Sequence, residues 1–270
     1  MPELPEVETV VRGLAPVLDG AAVRRVRVRR RDLRWPVPSG LERHLSGARI
    51  TGVRRRAKFG LIDTDRGHTL IFHLGMSGRL RLDPSERLPH DHVELETDGH
   101  RIVFHDPRRF GSLHLVPTAE AARHPLLAGL GPEPLDPDFD GEALAQAARG
   151  RRVAIRALLL DQRAVAGIGN IYACEALFRA GIHPARAAGR IARPRFERLA
   201  HGLRAVLEAA IEAGGTSLRD HAAVDGALGW FQRALAVYGR EGEACPACGH
   251  AIRRQRLHGR SAFFCPRCQR

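Results

Sequence analysis

The hydrophobic pattern of this chain changes period once, and that change limits the fold more than any other feature. Between residues 21 and 116 apolar side chains recur at every second position in short runs: "VRRVRVR", "ARITGV", "GLIDTD", "TLIFHLG", "HVELET", "RIVFHD" and "SLHLV". Glycine, aspartate and proline separate the runs, so each reads as a strand ending in a turn. So many short strands in succession predict an antiparallel β-sandwich or barrel. Beyond residue 141 the period becomes helical, in "EALAQAA", "VAIRALLLD", "NIYACEALFRAG" and "PRFERLAHGLRAVLEAAIEA". Ahead of the strands, Leu4, Val7, Val11 and Leu14 share one face, which predicts a helix from about Pro5 to just before Pro16. The fold class is therefore α+β: a helix and an antiparallel β-region, then a helical region.

"GLGPEPLDPDFDG" (129–141) carries three prolines and several acids and reads as a linker. The expected division is 1–130, 131–235 and 236–270. The glycine-rich "GGTSLRDHAAVDGALG" shows little period and is expected to form a mobile loop.

The last segment has its own logic. Cys245 and Cys248 form one C-x-x-C pair, and Cys265 and Cys268 a second, sixteen residues on. Two such knuckles bring four thiolates into a tetrahedron that suits zinc and leaves no open position. The expectation is one structural Zn²⁺ per chain, stapling a segment too small for a core of its own. Between the knuckles, "GHAIRRQRLHGRSAFF" forms a hairpin-sized basic finger. Cys174 lies mid-helix and reads as a small buried side chain.

A formal net charge of +13 and a pI near 11.1 point to a polyanionic partner, nucleic acid first. No apolar run has transmembrane length, and "MPELPEVETV" is acidic where a signal peptide is basic. A soluble, intracellular, basic protein is expected, with an anionic membrane surface as the weaker candidate partner.

Three residues that are single in the chain once the initiating Met1 is set aside narrow the chemistry. Lys58, in "GVRRRAKFGLI", is the only lysine in a chain with 43 lysines and arginines. A lysine can give up a proton or form a covalent adduct, and arginine does neither. Met76 sits in "HLGMSG", and Asn170 in "GIGNIYACE", where two glycines precede a helix start. Such a turn suits either an N-cap or a phosphate clamp. At the chain start, removal of Met1 exposes Pro2 as a secondary amine with pKa of about 8, nucleophilic near neutrality. Glu3 and Glu6 lie beside it as proton donors.

Taken in order, "PELPEVET", "RRAKF", "HLGMSG", "DPRRFG", "GIGNIYACE", "AGIHP" and the cysteine finger resemble the formamidopyrimidine-DNA glycosylase family of bacterial base-excision repair enzymes. The resemblance covers essentially the whole chain. It implies a helix packed on a β-sandwich, then a helix–two-turn–helix domain with a C-terminal β-hairpin zinc finger, acting as a monomer on damaged double-stranded DNA near the nucleoid. It implies that a lesion nucleotide is flipped out of the stack. It makes Pro2 the nucleophile, Glu3 the acid at the sugar, Lys58 the amine of β-elimination, and Arg260 the arginine of δ-elimination. Met76, Arg108 and Phe110 would fill the gap left by the flipped base. His90, Arg151 and Asn170 would contact DNA. "RGRRVAIR" stands where relatives often carry lysines. The same resemblance admits an endonuclease VIII-like branch acting on pyrimidines. From the residues alone, a catalytically silent zinc-ribbon DNA-binding protein is the competing reading.

Overall fold

The computed structural model describes residues 1–216, 224 and 229–270. The chain divides into two compact units: Met1–Ala128 with Ile211–Gln232, and Gly129–Ala210 with Arg233–Arg270.

The first unit opens with α1 (Leu4–Leu18). Leu4, Val7, Val10, Leu14 and Leu18 are at most 1% exposed, so the inward stripe runs the full length. The helix does not stop before Pro16, as its sequence suggested, but continues through it. Proline in the last turn costs one backbone hydrogen bond. Burying Leu18 returns about 1.5–3 kcal/mol and keeps the turn helical.

β1 (Val23–Val28), α2 (Leu41–Leu45), β2 (Ile50–Arg56), β3 (Phe59–Thr64), β4 (His68–His73), β5 (Arg79–Leu82), β6 (Asp91–Thr97), β7 (Arg101–His105) and β8 (Ser112–Pro117) follow. They form two antiparallel four-stranded sheets, ordered β1-β6-β7-β5 and β2-β3-β4-β8. The seven expected strands are present. α2 and β5 were not expected, because five and four residues are too few to display a period. Alternation turns one side of each strand inward, and Ile62, Leu70, Phe72, Val93, Leu95, Phe104 and Leu113 join α1 in one core.

In the second unit the proline-rich stretch is pinned rather than loose. The Gly131 N–H donates to the Gln162 carbonyl (2.8 Å), the Ala166 N–H donates to the Pro132 carbonyl (3.0 Å), and Phe139 is buried. Asp140 then caps α3 (Gly141–Ala148), its carboxylate accepting from the Ala143 N–H at 2.9 Å. α4 (Ile155–Leu160), α5 (Asn170–Arg179) and α6 (Arg193–Glu212) complete the helices. β9 (Arg253–Leu257) and β10 (Arg260–Phe264) pair as an antiparallel hairpin. Its two turn residues, His258 and Gly259, have φ of 47° and 79°, the left-handed geometry a two-residue hairpin turn requires. The finger shares its core with α5: Val237, Cys245, Ile252 and Cys265 pack around Cys174, with Phe178 against them. Cys174 is thus a core residue, as its place in the sequence suggested.

Among the described residues no helix is long and apolar enough to cross a membrane. Most of the segment expected to be a mobile loop, residues 217–223 and 225–228, lies outside the described residues.

Candidate active site and nucleic-acid interface

The chain start is buried. Pro2 lies inside, Glu3 is 4% exposed, and Met1 above them is half in solvent. Glu6 organises this corner. One of its carboxylate oxygens accepts from the Glu3 N–H (2.8 Å) and the other from the Thr216 N–H (2.9 Å). Both bonds are made at 2% exposure, where a carboxylate without donors would be costly.

Lys58 is brought to the same corner by a tight turn. Arg56 and Phe59 pair across β2 and β3, leaving Ala57 and Lys58 as a two-residue connection. Ala57 has φ of 52°, an unfavourable conformation for a residue with a Cβ, and is fully buried. Arg55 braces the turn, donating to the Ala57 carbonyl (3.1 Å) and to Glu8 of α1 (2.8 Å). Burial alone would raise the Glu8 carboxyl. Hydrogen bonds from Arg12 and Arg55 outweigh that and hold it below the usual range. Lys58 itself is 6% exposed.

His73 ends β4 opposite Phe59, its ring 4.9 Å from the Phe59 ring. Burial, then the charges of Lys58, Arg34, His114 and the N-terminal amine, push its pKa down to about 4. The residue is therefore neutral at physiological pH and lies within electrostatic reach of both amines. Its Nδ1 accepts the Gly75 N–H at 3.0 Å, which leaves the proton on Nε2. Sequence reasoning did not single out His73, although it begins the quoted "HLGMSG".

Arg108 and Phe110 are in contact, and Met76 lies between Gly75 and Ser77, which both meet the same segment. Met76 is 41% and Phe110 40% exposed, and the Arg108 guanidinium lies 4.9 Å above the Phe110 ring. A fully buried carboxylate holds them. Asp106 accepts from the Ser77 hydroxyl (2.7 Å) and the Gly111 N–H (2.7 Å), and the Ser77 oxygen accepts the Arg108 N–H (3.2 Å). Gly75 has φ of 66° and its Cα faces the Phe110 backbone so closely that a Cβ would sit 2.4 Å from the carbonyl carbon. His90 joins this loop through its carbonyl, which accepts the Asp106 N–H at 3.1 Å, and has φ of 75°. An open hollow of about 580 Å³ lies beside the group, lined by Asp32, Leu33, Arg34, Arg108, Arg109 and Phe110.

In the second unit Gly169, not Asn170, is the N-cap of α5. Asn170 is the first helical residue, and its side chain turns to the hairpin: Nδ2 donates to the Ser261 carbonyl at 2.9 Å. Arg260 is exposed at the start of β10, paired with Leu257 across the turn. Arg151 stands apart from them, exposed and paired with Asp161 at 3.4 Å. Glu175 of α5 is 3% exposed and accepts from the Ala236, Val237 and Tyr238 N–H groups at 2.8–2.9 Å, fixing the bend that leads into the finger.

Cys245, Cys248, Cys265 and Cys268 converge, with all four Sγ atoms within 4.8 Å of one another. The Cys245–Cys268 and Cys248–Cys265 separations are 3.9 and 3.5 Å. Zn–S bonds of about 2.3 Å in a tetrahedron require sulfurs about 3.8 Å apart, so the cluster fits a zinc ion. Desolvation, then contact with the other three thiols, pushes the Cys268 thiol up to about 12, and a central dication supplies the charge that stabilises thiolates here.

Comparison with known proteins agrees with this geometry. Residues 1–113 match the Formamidopyrimidine-DNA glycosylase N-terminal domain, 130–222 the Formamidopyrimidine-DNA glycosylase H2TH domain, and 242–270 the zinc finger found in FPG and IleRS. The chain is 58% identical to the formamidopyrimidine-DNA glycosylase of Rhizorhabdus wittichii and 56% to that of Novosphingobium aromaticivorans, covering 100% of both chains in each case. The fold superimposes on MutM (FPG) of Thermus thermophilus with a TM-score of 0.90 at 44% identity, covering 99% of this chain and 98% of that one. It superimposes on Lactococcus lactis Fpg in complex with abasic-site DNA with a TM-score of 0.91 at 34% identity, covering 99% of each.

Proposed function

The chain belongs to the formamidopyrimidine-DNA glycosylase family, and on that premise we propose that it excises oxidised purines from duplex DNA and then nicks the strand. The observation that supports this reading best is the buried corner where the N-terminal residues, Lys58 and a neutral His73 meet. A protein that only binds DNA has no use for an amine sequestered from water beside a second amine.

In this reading Met1 is removed, and its exposure leaves it open to cleavage. The Pro2 nitrogen attacks C1′ of the lesion nucleotide, and the C1′–N bond to the damaged base breaks with its electron pair leaving on the base. Glu3 protonates the sugar oxygen as the ring opens, giving an iminium ion. Loss of a C2′ proton, with Lys58 as the acid–base amine, expels the 3′ phosphate, and a second elimination expels the 5′ phosphate. Arg260 neutralises the departing phosphate in that second step. Zinc plays no chemical part: it holds the hairpin that carries Arg260. Met76 and Phe110 occupy the space vacated by the flipped base, and Arg108 donates to the unpaired cytosine edge. His90, Arg151 and Asn170 bind the DNA backbone. The enzyme acts as a monomer in the bacterial cytoplasm on nucleoid DNA.

Lys58→Arg separates charge from proton transfer. With a duplex carrying 8-oxoguanine opposite cytosine, single-turnover strand nicking in this variant should fall by roughly a hundredfold or more. Wild-type nicking by the variant would remove Lys58 from the mechanism. Tight binding by the wild type with no base release would favour the silent binder, and release of oxidised pyrimidines alone would favour the endonuclease VIII-like branch.

A further inference from the structure

Arg156 is 1% exposed, on the first turn of α4, and besides a contact with the core residue Cys174 its side chain reaches Asn170 and the zinc-finger hairpin. Its Nε and Nη2 donate to the Asn170 Oδ1 at 3.0 and 2.6 Å. Its Nη1 donates to the Leu257 carbonyl (3.2 Å) and its Nη2 also to the Ser261 carbonyl (3.3 Å). Leu257 and Arg260 are the residues that close the hairpin turn, and Ser261 follows directly. One buried guanidinium therefore grips both sides of the turn that presents Arg260. Burial pulls its pKa below the ordinary arginine value, with Cys174 opposing, yet a guanidinium remains charged at any physiological pH.

The same contacts decide which way the Asn170 amide faces. A guanidinium has only donors, so the atom it meets must be Oδ1. Nδ2 then gives one hydrogen to the Ser261 carbonyl, and its second N–H has no partner among the described residues. The half-buried amide is left presenting a donor, which suits a phosphate oxygen. Turned over, it would present a carbonyl oxygen that repels one.

We infer that Arg156 is a positioning residue that sets both phosphate-directed groups of this unit, the donor side of Asn170 and the reach of Arg260. The inference rests on the functional reading above. It also explains why a planar fork stands at this place in "VAIRALLLD": two carbonyls and one amide oxygen need donors spread in a plane, and an ammonium is a single compact head.

The test compares wild type, Arg156→Lys and Arg156→Ala, first for zinc content and thermal melting, then for reaction with the 8-oxoguanine duplex. For variants that keep zinc and melt cooperatively, KM for the duplex should rise about tenfold, the size of one lost charge-directed hydrogen bond. kcat for base release should change less than KM, and the products should shift from δ-elimination toward β-elimination. A cycle with Asn170→Ala sharpens this: once Arg156 is changed, removing the Asn170 amide should cost little more. Wild-type KM and product ratio in folded Arg156→Lys and Arg156→Ala would overturn the inference. So would a KM change that merely follows the zinc-loaded fraction, or full additivity with Asn170→Ala. An inactive wild type would instead sink the functional reading, and binding of plain duplex by the same variants would still test the role of Arg156.

Discussion

The two units hold their cationic groups in opposite ways. In the first, Lys58 is sunk into the protein, in a strained turn and within electrostatic reach of a neutral histidine. In the second, Arg260 stands in solvent on a hairpin whose backbone is gripped by Arg156, Asn170 and four converging cysteines. The contrast suits the roles proposed above: a group proposed to give or take a proton gains from dry surroundings, where neighbours control its charge. A group proposed only to reach a phosphate needs a fixed backbone and an open path. The difference implies separate weak points: burial and packing in the first unit, the metal and its hydrogen bonds in the second.

Zinc removal should have the largest effect. A structural zinc site in a small finger carries on the order of 10 kcal/mol of folding free energy. Chelation at pH 7.5 should unfold the hairpin and abolish duplex binding, while amide exchange in β3 and β4 stays protected. Uniform loss of protection across both units would erase the distinction.

Gly75→Ala strikes the first unit instead. The added methyl group meets the Phe110 backbone, and the left-handed φ penalises any Cβ. A loss of roughly 3 kcal/mol or more is expected, with the gap-filling proposed for Met76 and Phe110 impaired. Thermal melting with zinc saturated gives the value; a melting temperature unchanged within a degree would show that the loop yields freely.

Acid gives the smallest and most graded effect. His73 has a folded pKa of about 4 against an ordinary value near 6.5, so the unfolded chain binds a proton more readily. Nothing is lost above pH 6.5, and stability falls as pH drops from there to 4, by on the order of 3 kcal/mol from this residue. His105, His114 and His124 are pushed the same way, mainly by burial, and all lie in the first unit, with His183 alone in the second among those this buried. His73→Gln should flatten the pH dependence of the first unit over that window. An unchanged slope would assign acid sensitivity elsewhere.

Much of this was legible in the sequence because the signals were periodic or singular. Alternation located seven strands, and cysteine spacing located the metal cluster. The lone lysine pointed to a turn that the structure shows to be strained. Other features carry no local signature. The course of α1 through Pro16 depends on a core that Leu18 reaches only in the fold. Asp106, Glu175 and Arg156 look like ordinary charged residues in the chain, and each becomes a hub only when its partners arrive from distant segments. His73 was visible as a letter in a motif, but its neutrality depends on burial beside two amines.

The proposed reaction turns on a proline amine at the chain start that does covalent chemistry. The most direct measurement is borohydride trapping on a duplex with 8-oxoguanine opposite cytosine, read by intact mass, for wild type beside Pro2→Gly. Wild type should lack Met1 and gain the mass of a reduced DNA adduct mapped to Pro2, with the adduct greatly diminished in the variant. A mature protein that retains Met1, or equal trapping in both proteins, would contradict it.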